Sequence, residues 1–311
     1  MNSNAVSGHI EMKTYLDCTP CFFRQALEAS RVAGASLRIQ WRVLNELAKI
    51  SSDFSLTSSP PETGRIIYRL VSRITGKKDP YAKIKTESNK MALKLYPRLK
   101  RMIARSADSM AVAVRLAIAG NIIDYGVKNS LNVGHELGKI LKEEGLRIPE
   151  ENKKFYQYAK FKRTLAKART VLYLADNSGE VVFDRILIEE IKKKDPWKRI
   201  FYAVKSAPTI NDALKKDAKQ CGIDKVAEII TSGADAPGTV LSLCSPRFLR
   251  MFRGADIVIS KGQGNFEVLS LSRRPVFFLF MAKCPVVASH AGCRIGDIIL
   301  RCGGENLTRE G

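Results

Sequence analysis

The sequence predicts an α/β protein that carries an additional all-helical part in its first half. Apolar residues recur there at spacings of three and four, which is the period of amphipathic helices. From about residue 169, short β-branched runs alternate with helical segments, as in βαβ units. We therefore expect a three-layer α/β/α sandwich with a mainly parallel, Rossmann-like sheet.

These patterns divide the chain of 311 residues into three parts. Residues 1–11 show no packing pattern, and we expect a flexible extension. Residues 12–168 are expected to form the helical subdomain, with segments such as "FFRQALEASRVAG", "GRIIYRLVSRI" and "MAVAVRLAIAG". Residues 169–311 are expected to form the α/β core, with strands at "TVLYLA", "RIFYAV", "AEIIT", "DIVIS" and "PVFFLF", and "DIILR" as a sixth candidate.

Composition narrows the class of protein. The longest apolar stretches are interrupted by Arg115 and Lys283 and are too short for a membrane span, so we expect no membrane association. The chain has seven cysteines and begins without the pattern of a signal peptide. An odd cysteine count in such a chain is typical of a reducing compartment, and we expect a cytoplasmic protein.

The formal net charge of +21 leaves several partners open. A field of this sign attracts polyanions, so a non-catalytic nucleic-acid-binding protein is the alternative to an enzyme. The same charge suits small phosphorylated substrates. A solvated basic surface without a specific partner is the third interpretation.

Polar motifs follow the predicted strands at the points where those strands end. "DNSGE" follows the first strand, "KSAPTIND" the second and "KGQGNFE" the fourth. Because the carboxyl ends of parallel strands lie along one edge of a sheet, these motifs are expected to converge on one crevice.

Asp176, Asn177 and Asp212 are the candidate metal ligands in that crevice. Their hard oxygen atoms suit Mg²⁺, Mn²⁺ or a similar divalent ion. Glu180 can serve as a ligand, as a base, or as an acid in the first turn of a helix. We interpret Asp184 as structural.

Lys205 and Lys261 are expected to place ammonium groups in the same crevice, where they would neutralise a phosphate beside the metal. The other interpretation is that each lysine is simply solvated. Gly262, Gly264 and Asn265 are candidate substrate contacts in a glycine-rich turn that can bind an anion. The preferred nucleophile is a metal-bound water.

Two further motifs remain open. "AGNIIDYG" is either a helix end or a segment that closes over the crevice and brings Asn121 and Asp124 to the substrate or metal. "CTPC", with Cys18 and Cys21, is interpreted as half of a zinc site, as a redox pair or as packing.

Taken together, the motifs resemble one family, the metal-dependent damage-control phosphatases, formerly domain of unknown function 89, in the branch that carries a CxxC motif. The resemblance is carried in order by "CTPCFFRQAL", "AGNIIDYG", "DNSGEVVFD", "PTINDALKKDA", "TSGADAPGTVL", "SKGQGNFE" and "AKCPVVA".

This resemblance implies a helical subdomain packed on an α/β/α sandwich. It also implies a phosphatase that uses Mn, Co, Ni or Mg and hydrolyses small phosphorylated metabolites, sugar phosphates among them. Asp176, Asn177 and Asp212 match the metal ligands of the family, and Lys261 matches its phosphate-binding lysine. Ser178 and Leu214 depart from the residues common in the family, alanine and threonine.

Overall fold

The computed structural model describes residues 12–120 and 150–304. Asn121 and Asp124 lie outside these residues. Within the described ranges, the helices are too short or too polar to cross a bilayer.

A six-stranded sheet forms the centre of the fold, in the order β3-β2-β1-β4-β5-β6. Strands β1 to β5 pair in parallel, and β6 pairs with β5 in the antiparallel direction. The strands are β1 (Thr170–Leu174), β2 (Arg199–Val204), β3 (Glu228–Thr231), β4 (Ile257–Lys261), β5 (Val276–Met281) and β6 (Ile298–Gly303). The predicted α/β class and mainly parallel sheet are confirmed, and each of the six predicted runs forms a strand.

The helices of the described residues alternate with the strands from β1 onward and precede them in the first half. In the first half they are α1 (Cys18–Val32), α2 (Leu37–Ile50), α3 (Pro60–Thr75), α4 (Ala82–Ala104), α5 (Ser109–Ala119) and α6 (Tyr158–Lys167). In the second half they are α7 (Glu180–Lys194), α8 (Lys215–Gln220), α9 (Pro246–Gly254), α10 (Gln263–Leu269) and α11 (Pro285–Ala291).

Local sequence explains where α3 begins and ends. Ser59 and Glu62 form a capping box at its start, and Pro60 occupies the first turn, where a missing N–H costs nothing. Gly76 ends the helix with φ 70°, a left-handed conformation that glycine adopts without a steric penalty.

Alternating strand residues build two cores, one on each face of the sheet. Val171 and Tyr173 of β1 belong to the core that packs against α4 to α8. Leu172 and Leu174 belong to the core on the other face, which packs against α9, α10 and α11. This period of two, with helices over both faces, gives the three-layer sandwich.

The helical first half is not one packing unit. Helices α1 to α3 share a separate apolar cluster that includes Phe22, Leu47 and Ile67. Helices α4 and α5 instead pack against α7 and contribute to a sheet core. The apolar cores thus separate α1–α3 from the remaining helices. The expected domain boundary between residues 168 and 169 stays a prediction.

The strand order places β1 beside β4, with β2 and β5 on their outer sides. The connections that leave β1 and β4 go to opposite halves of the sheet, so this is the topological switch point. Crevices open at the carboxyl ends of strands at such points.

Candidate active site

The segments that follow β1 and β2 are hydrogen-bonded to each other. The N–H of Ser178 donates to the carbonyl of Asn211 at 2.9 Å, and that of Ala213 donates to the carbonyl of Asp176 at 2.8 Å. Asn177 and Asp212 face each other in this bridge. The pairing brings the three predicted metal ligands, Asp176, Asn177 and Asp212, to one place, where they are 9%, 6% and 3% exposed.

Gly262 makes room for Asp176. A Cβ atom at position 262 would lie 1.9 Å from Oδ2 of Asp176. The φ angle of Gly262 is also +80°, a conformation that side chains of L-residues disfavour. The predicted importance of Gly262 thus has a steric basis at the end of β4, whereas a contact with substrate stays a prediction.

The side chain of Asn177 is held in one orientation. Its Nδ2 donates to Oδ2 of Asp176 at 3.0 Å and to Oε1 of Glu180 at 2.9 Å. An asparagine can bind a metal only through Oδ1, so acceptors on the Nδ2 side set which end of the amide is presented.

Lys261 is completely buried and lies between two carboxylates. Its Nζ donates to Oε2 of Glu180 at 3.0 Å and to Oδ1 of Asp184 at 2.9 Å, and all three side chains are 0% exposed. The hydroxyls of Tyr173 and Tyr202 donate to Asp184 at 2.6 Å and 2.7 Å. We call Lys261, Glu180, Asp184 and the two tyrosines the buried network.

Charge and burial act against each other in this network. Burial alone would lower the pKa of Lys261, but the carboxylates of Asp184 and Glu180 outweigh burial and raise it above the ordinary lysine value. Burial raises the pKa of Asp184, and the charge of Lys261 offsets only part of this effect. Lys261 therefore stays charged between two acids and connects the core to Glu180 and Asn177. A direct phosphate contact by Lys261 stays a prediction.

Lys205 lies closer to the predicted ligands. Its Nζ is 3.5 Å from Oδ2 of Asp212, and its side chain is 3% exposed. This places the second predicted ammonium group at the site itself. The positive charge of Lys205 beside Asp212 would neutralise a phosphate that approaches the ligands.

The other glycine-turn candidates are held by the protein. The Nδ2 of Asn265 donates to the carbonyls of Ala175 and Lys261 at 3.1 Å and 2.8 Å, and its Oδ1 accepts from Thr239 at 2.8 Å. Asn265 thus braces the ends of β1 and β4, and its role as a substrate contact stays a prediction. The backbone of Gly264 lies against Gly238, where a Cβ would come within 2.4 Å of the Gly264 oxygen.

The donor set fits an oxygen-preferring divalent ion. It comprises two carboxylates and one amide on two hydrogen-bonded segments, and hard cations take such oxygens together with water and substrate. Among the described residues, no three His, Cys, Asp or Glu side chains group as a metal site, and the predicted trio itself includes an asparagine.

Comparison with known proteins identifies the family of this chain. The family model described as "Damage-control phosphatase ARMT1-like domain" matches residues 14–299. The chain belongs to the damage-control phosphatase family. The resemblance read from the motifs is thereby confirmed, and the chain is of phosphatase type.

Several relatives and one solved structure match nearly the whole chain. Damage-control phosphatase PH1575 of Pyrococcus horikoshii is 34% identical over 280 residues, with 89% of this chain and 93% of the relative covered. A damage-control phosphatase of Archaeoglobus fulgidus is 32% identical over 290 residues, with 91% and 97% covered. The crystal structure of PH1575 superposes with a TM-score of 0.82 at 31% identity and covers 94% of this chain and 99% of that one. The names of these relatives give no support to the nucleic-acid alternative.

The CxxC pair of this family member lies in the first turn of α1. Cys18 is buried and burial raises the pKa of its thiol, whereas Cys21 is exposed and accepts a hydrogen bond from Gln25 at 3.1 Å. These two environments do not select among the interpretations of the pair.

Sequence reasoning missed Asn89, which fixes the turn that carries the site. Its Oδ1 accepts from the N–H of Gly179 at 2.8 Å, and its Nδ2 donates to Asp217 at 2.9 Å. Asn89 is 0% exposed, and Lys85 and Ser88 beside it on α4 are also buried. A polar stripe on a buried helix face is the signal that could have revealed it.

Proposed function

We propose that this family member is a divalent-metal-dependent phosphomonoesterase that hydrolyses small phosphorylated metabolites, sugar phosphates among them. The observation that supports this proposal most directly is the backbone pairing that places Asp176, Asn177 and Asp212 together at the switch point. The family assignment supports the phosphatase reaction. The metal and the substrate class are our inference.

Asp176, Asn177 and Asp212 would hold the ion through side-chain oxygens. When bound, Mn²⁺, Co²⁺, Ni²⁺ or Mg²⁺ polarises a phosphoryl oxygen and lowers the pKa of water. Lys205 contributes a fixed positive charge beside Asp212, where the phosphate would lie. Because these groups are almost completely buried, their charges act in a medium that screens them less than water does.

Asp212→Ala tests the proposal. We expect phosphate release from p-nitrophenyl phosphate and sugar phosphates to require added Mn²⁺, Co²⁺, Ni²⁺ or Mg²⁺ and to stop with EDTA. Asp212→Ala should reduce kcat/KM by at least about 10³-fold, because it removes a charged metal ligand. Circular dichroism should show an unchanged fold.

Asp224→Ala is the matched control, since Asp224 is exposed on the same domain. It should retain wild-type activity. Full activity of Asp212→Ala would rule out the ligand set. If the wild type released no phosphate with any of the four metals, the metal-dependent reaction itself would be wrong.

A further inference from the structure

A pocket of about 280 Å³ lies between α3 and the segment 207–210. Arg65, Tyr68 and Arg69 line it from the helix, and Thr209 lies on the opposite side. The carbonyl of Thr209 accepts a hydrogen bond from the N–H of Asp212 at 3.0 Å. The pocket therefore adjoins the predicted metal ligands. We call it the basic pocket.

The backbone between the basic pocket and Asp212 is unusual. Ile210 has φ 42°, the only positive φ among the non-glycine residues that the structure describes. Residues held in such conformations cluster at functional sites, where the surrounding structure maintains them. Burial raises the pKa of Tyr68 in the pocket wall, and nearby ionisable groups, Asp212 among them, add to this effect.

The lining of the basic pocket has a positive balance. Its charged residues are Arg65, Arg69, Arg73, Lys78, Asp79 and Asp235. Asp79 is already neutralised from outside the pocket, because its Oδ2 lies 2.8 Å from Nζ of Lys85 and 3.6 Å from Nζ of Lys216. Four cations thus share one remaining carboxylate, and an anion is the ligand that this balance favours.

Asp235 holds the two arginines of α3 in place. Arg65 donates through Nε to Oδ1 at 2.6 Å, and Arg69 donates through Nε and Nη2 to Oδ2 at 3.0 Å and 2.5 Å. Each guanidinium has five N–H groups in a fixed plane, so these contacts leave further N–H groups on both arginines. The arginine side chains are therefore positioned before a ligand arrives, which lowers the entropic cost of binding.

We propose that the basic pocket binds a second anionic group, a carboxylate or a phosphate, on the alcohol part of the phosphoester. The inference rests on the proposed function, because the scissile phosphate is placed at Asp176, Asn177 and Asp212. The lining of the pocket reaches Ile210, two residues before Asp212, and the volume of the pocket suits the remainder of a small metabolite. The preferred substrates are thus phosphoesters with two separated negative groups.

Two matched substrate pairs test this specificity. 3-Phosphoglycerate has a carboxylate where glycerol 3-phosphate has a terminal hydroxymethyl group, and fructose 1,6-bisphosphate adds a phosphate to fructose 6-phosphate. We expect wild-type kcat/KM to be at least about ten-fold higher for the second anion in one of these pairs, since a charge-assisted hydrogen bond contributes that much. The pair that shows the preference identifies the carboxylate or the phosphate as the group bound.

Arg65→Gln and Arg69→Gln should remove this preference, because they should lower kcat/KM much more for the substrate with the second anionic group than for its partner, whose phosphate is its sole anionic group. Arg65→Lys should restore part of it, because the charge is kept and the planar fork is lost. Arg247→Gln is the control, since it removes an equal charge from an exposed ion pair with Glu228. That variant should keep the preference.

Binding to metal-free protein separates the failure of this inference from failure of the proposed function. In EDTA, 3-phosphoglycerate or fructose 1,6-bisphosphate should raise the Tm of the wild type more than its partner with a single anionic group does, and the Arg65→Gln and Arg69→Gln variants should lose that difference. If this binding result held and the enzyme supplied with Mn²⁺, Co²⁺, Ni²⁺ or Mg²⁺ released no phosphate from any of these substrates, the pocket would stand and the proposed metal-dependent phosphatase reaction would fall. Equal binding and turnover of both partners by wild type, or an equal loss for both in the arginine variants, would overturn the pocket assignment.

Discussion

The buried network and the basic pocket are both built from ion pairs, but the ratio of cations to carboxylates is reversed between them. In the network, one cation, Lys261, lies between the carboxylates of Glu180 and Asp184, all 0% exposed. In the pocket, one carboxylate, Asp235, lies between two guanidinium groups, and its side chain is 22% exposed. The first cluster carries an excess negative charge beside the predicted metal ligands, and the second carries an excess positive charge beside the expected substrate.

Exposure decides what each cluster contributes. Removing one partner of an ion pair that has no access to water strongly destabilises the fold, because the remaining charge has neither solvent nor a counter-ion. An ion pair in contact with water contributes less than about 1 kcal/mol, since water replaces the lost partner. The network should therefore determine stability and geometry, and the pocket should determine ligand binding.

Lys261→Met is the strongest test of this contrast. It leaves two buried carboxylates without a cation, and we expect the free energy of unfolding to fall by about 3–5 kcal/mol. Urea denaturation measures the change. Lys49→Met is the control, because Lys49 is 69% exposed and pairs with Glu46 one turn away; it should cost less than about 0.5 kcal/mol.

A second substitution separates lost charge compensation from lost packing. Asp184→Asn in the Lys261→Met background removes one of the two uncompensated acids, so the double variant should be more stable than Lys261→Met alone. A double variant that is less stable by the sum of both single effects would show that the two residues are not coupled.

The contrast also explains what the sequence could reveal. Asp176, Asn177 and Asp212 follow adjacent strands, and strand order at a parallel edge brings such residues together whatever the distant contacts are. The interaction of Arg65 with Asp235 instead joins positions 170 residues apart, and two arginines one turn apart on a helix look the same whether they bind a carboxylate or water.

The position of Lys261 was unpredictable for a related reason. A lysine that ends a strand normally reaches solvent, and its burial depends on Glu180 and Asp184 one turn apart on a helix from another βα unit. Asn89 is the opposite case. The polar stripe on α4 to which it belongs was visible in the helical period of the sequence, but its hydrogen-bond partners were not.

Glu267 is a half-buried acid that, among the described residues, has no ion pair. Gln263 donates to its carboxylate at 2.9 Å, and burial raises its pKa to about 7. A raised carboxyl pKa stabilises the fold while the group is protonated, so this stability is complete below the unfolded value of about 4.3 and is lost as pH rises through about 7.

Glu267→Gln should therefore gain stability relative to the wild type, by about 1–3 kcal/mol, as pH rises from about 4.5 to about 7.5. Urea denaturation of both proteins across this range gives the difference at each pH. Glu87→Gln, at an exposed helix position, should show no such trend. A constant difference between Glu267→Gln and wild type would show that Glu267 titrates normally.

Asp235→Asn should have the smallest effect on stability. Burial would raise the pKa of Asp235, but the hydrogen bonds and charges of Arg65 and Arg69 outweigh it and lower the pKa. The stability from this interaction is therefore present above the ordinary aspartate pKa and is lost as pH falls through the lowered value. At neutral pH we expect a loss of less than about 1 kcal/mol by urea denaturation, because Arg69 is 60% exposed. The same variant raises the positive balance of the pocket, so metal-free protein should bind a phosphoester with a second anionic group at least as tightly as wild type in low salt. A loss of several kcal/mol would instead place Asp235 among the residues that hold α3 on the core, and the contrast with the buried network would disappear.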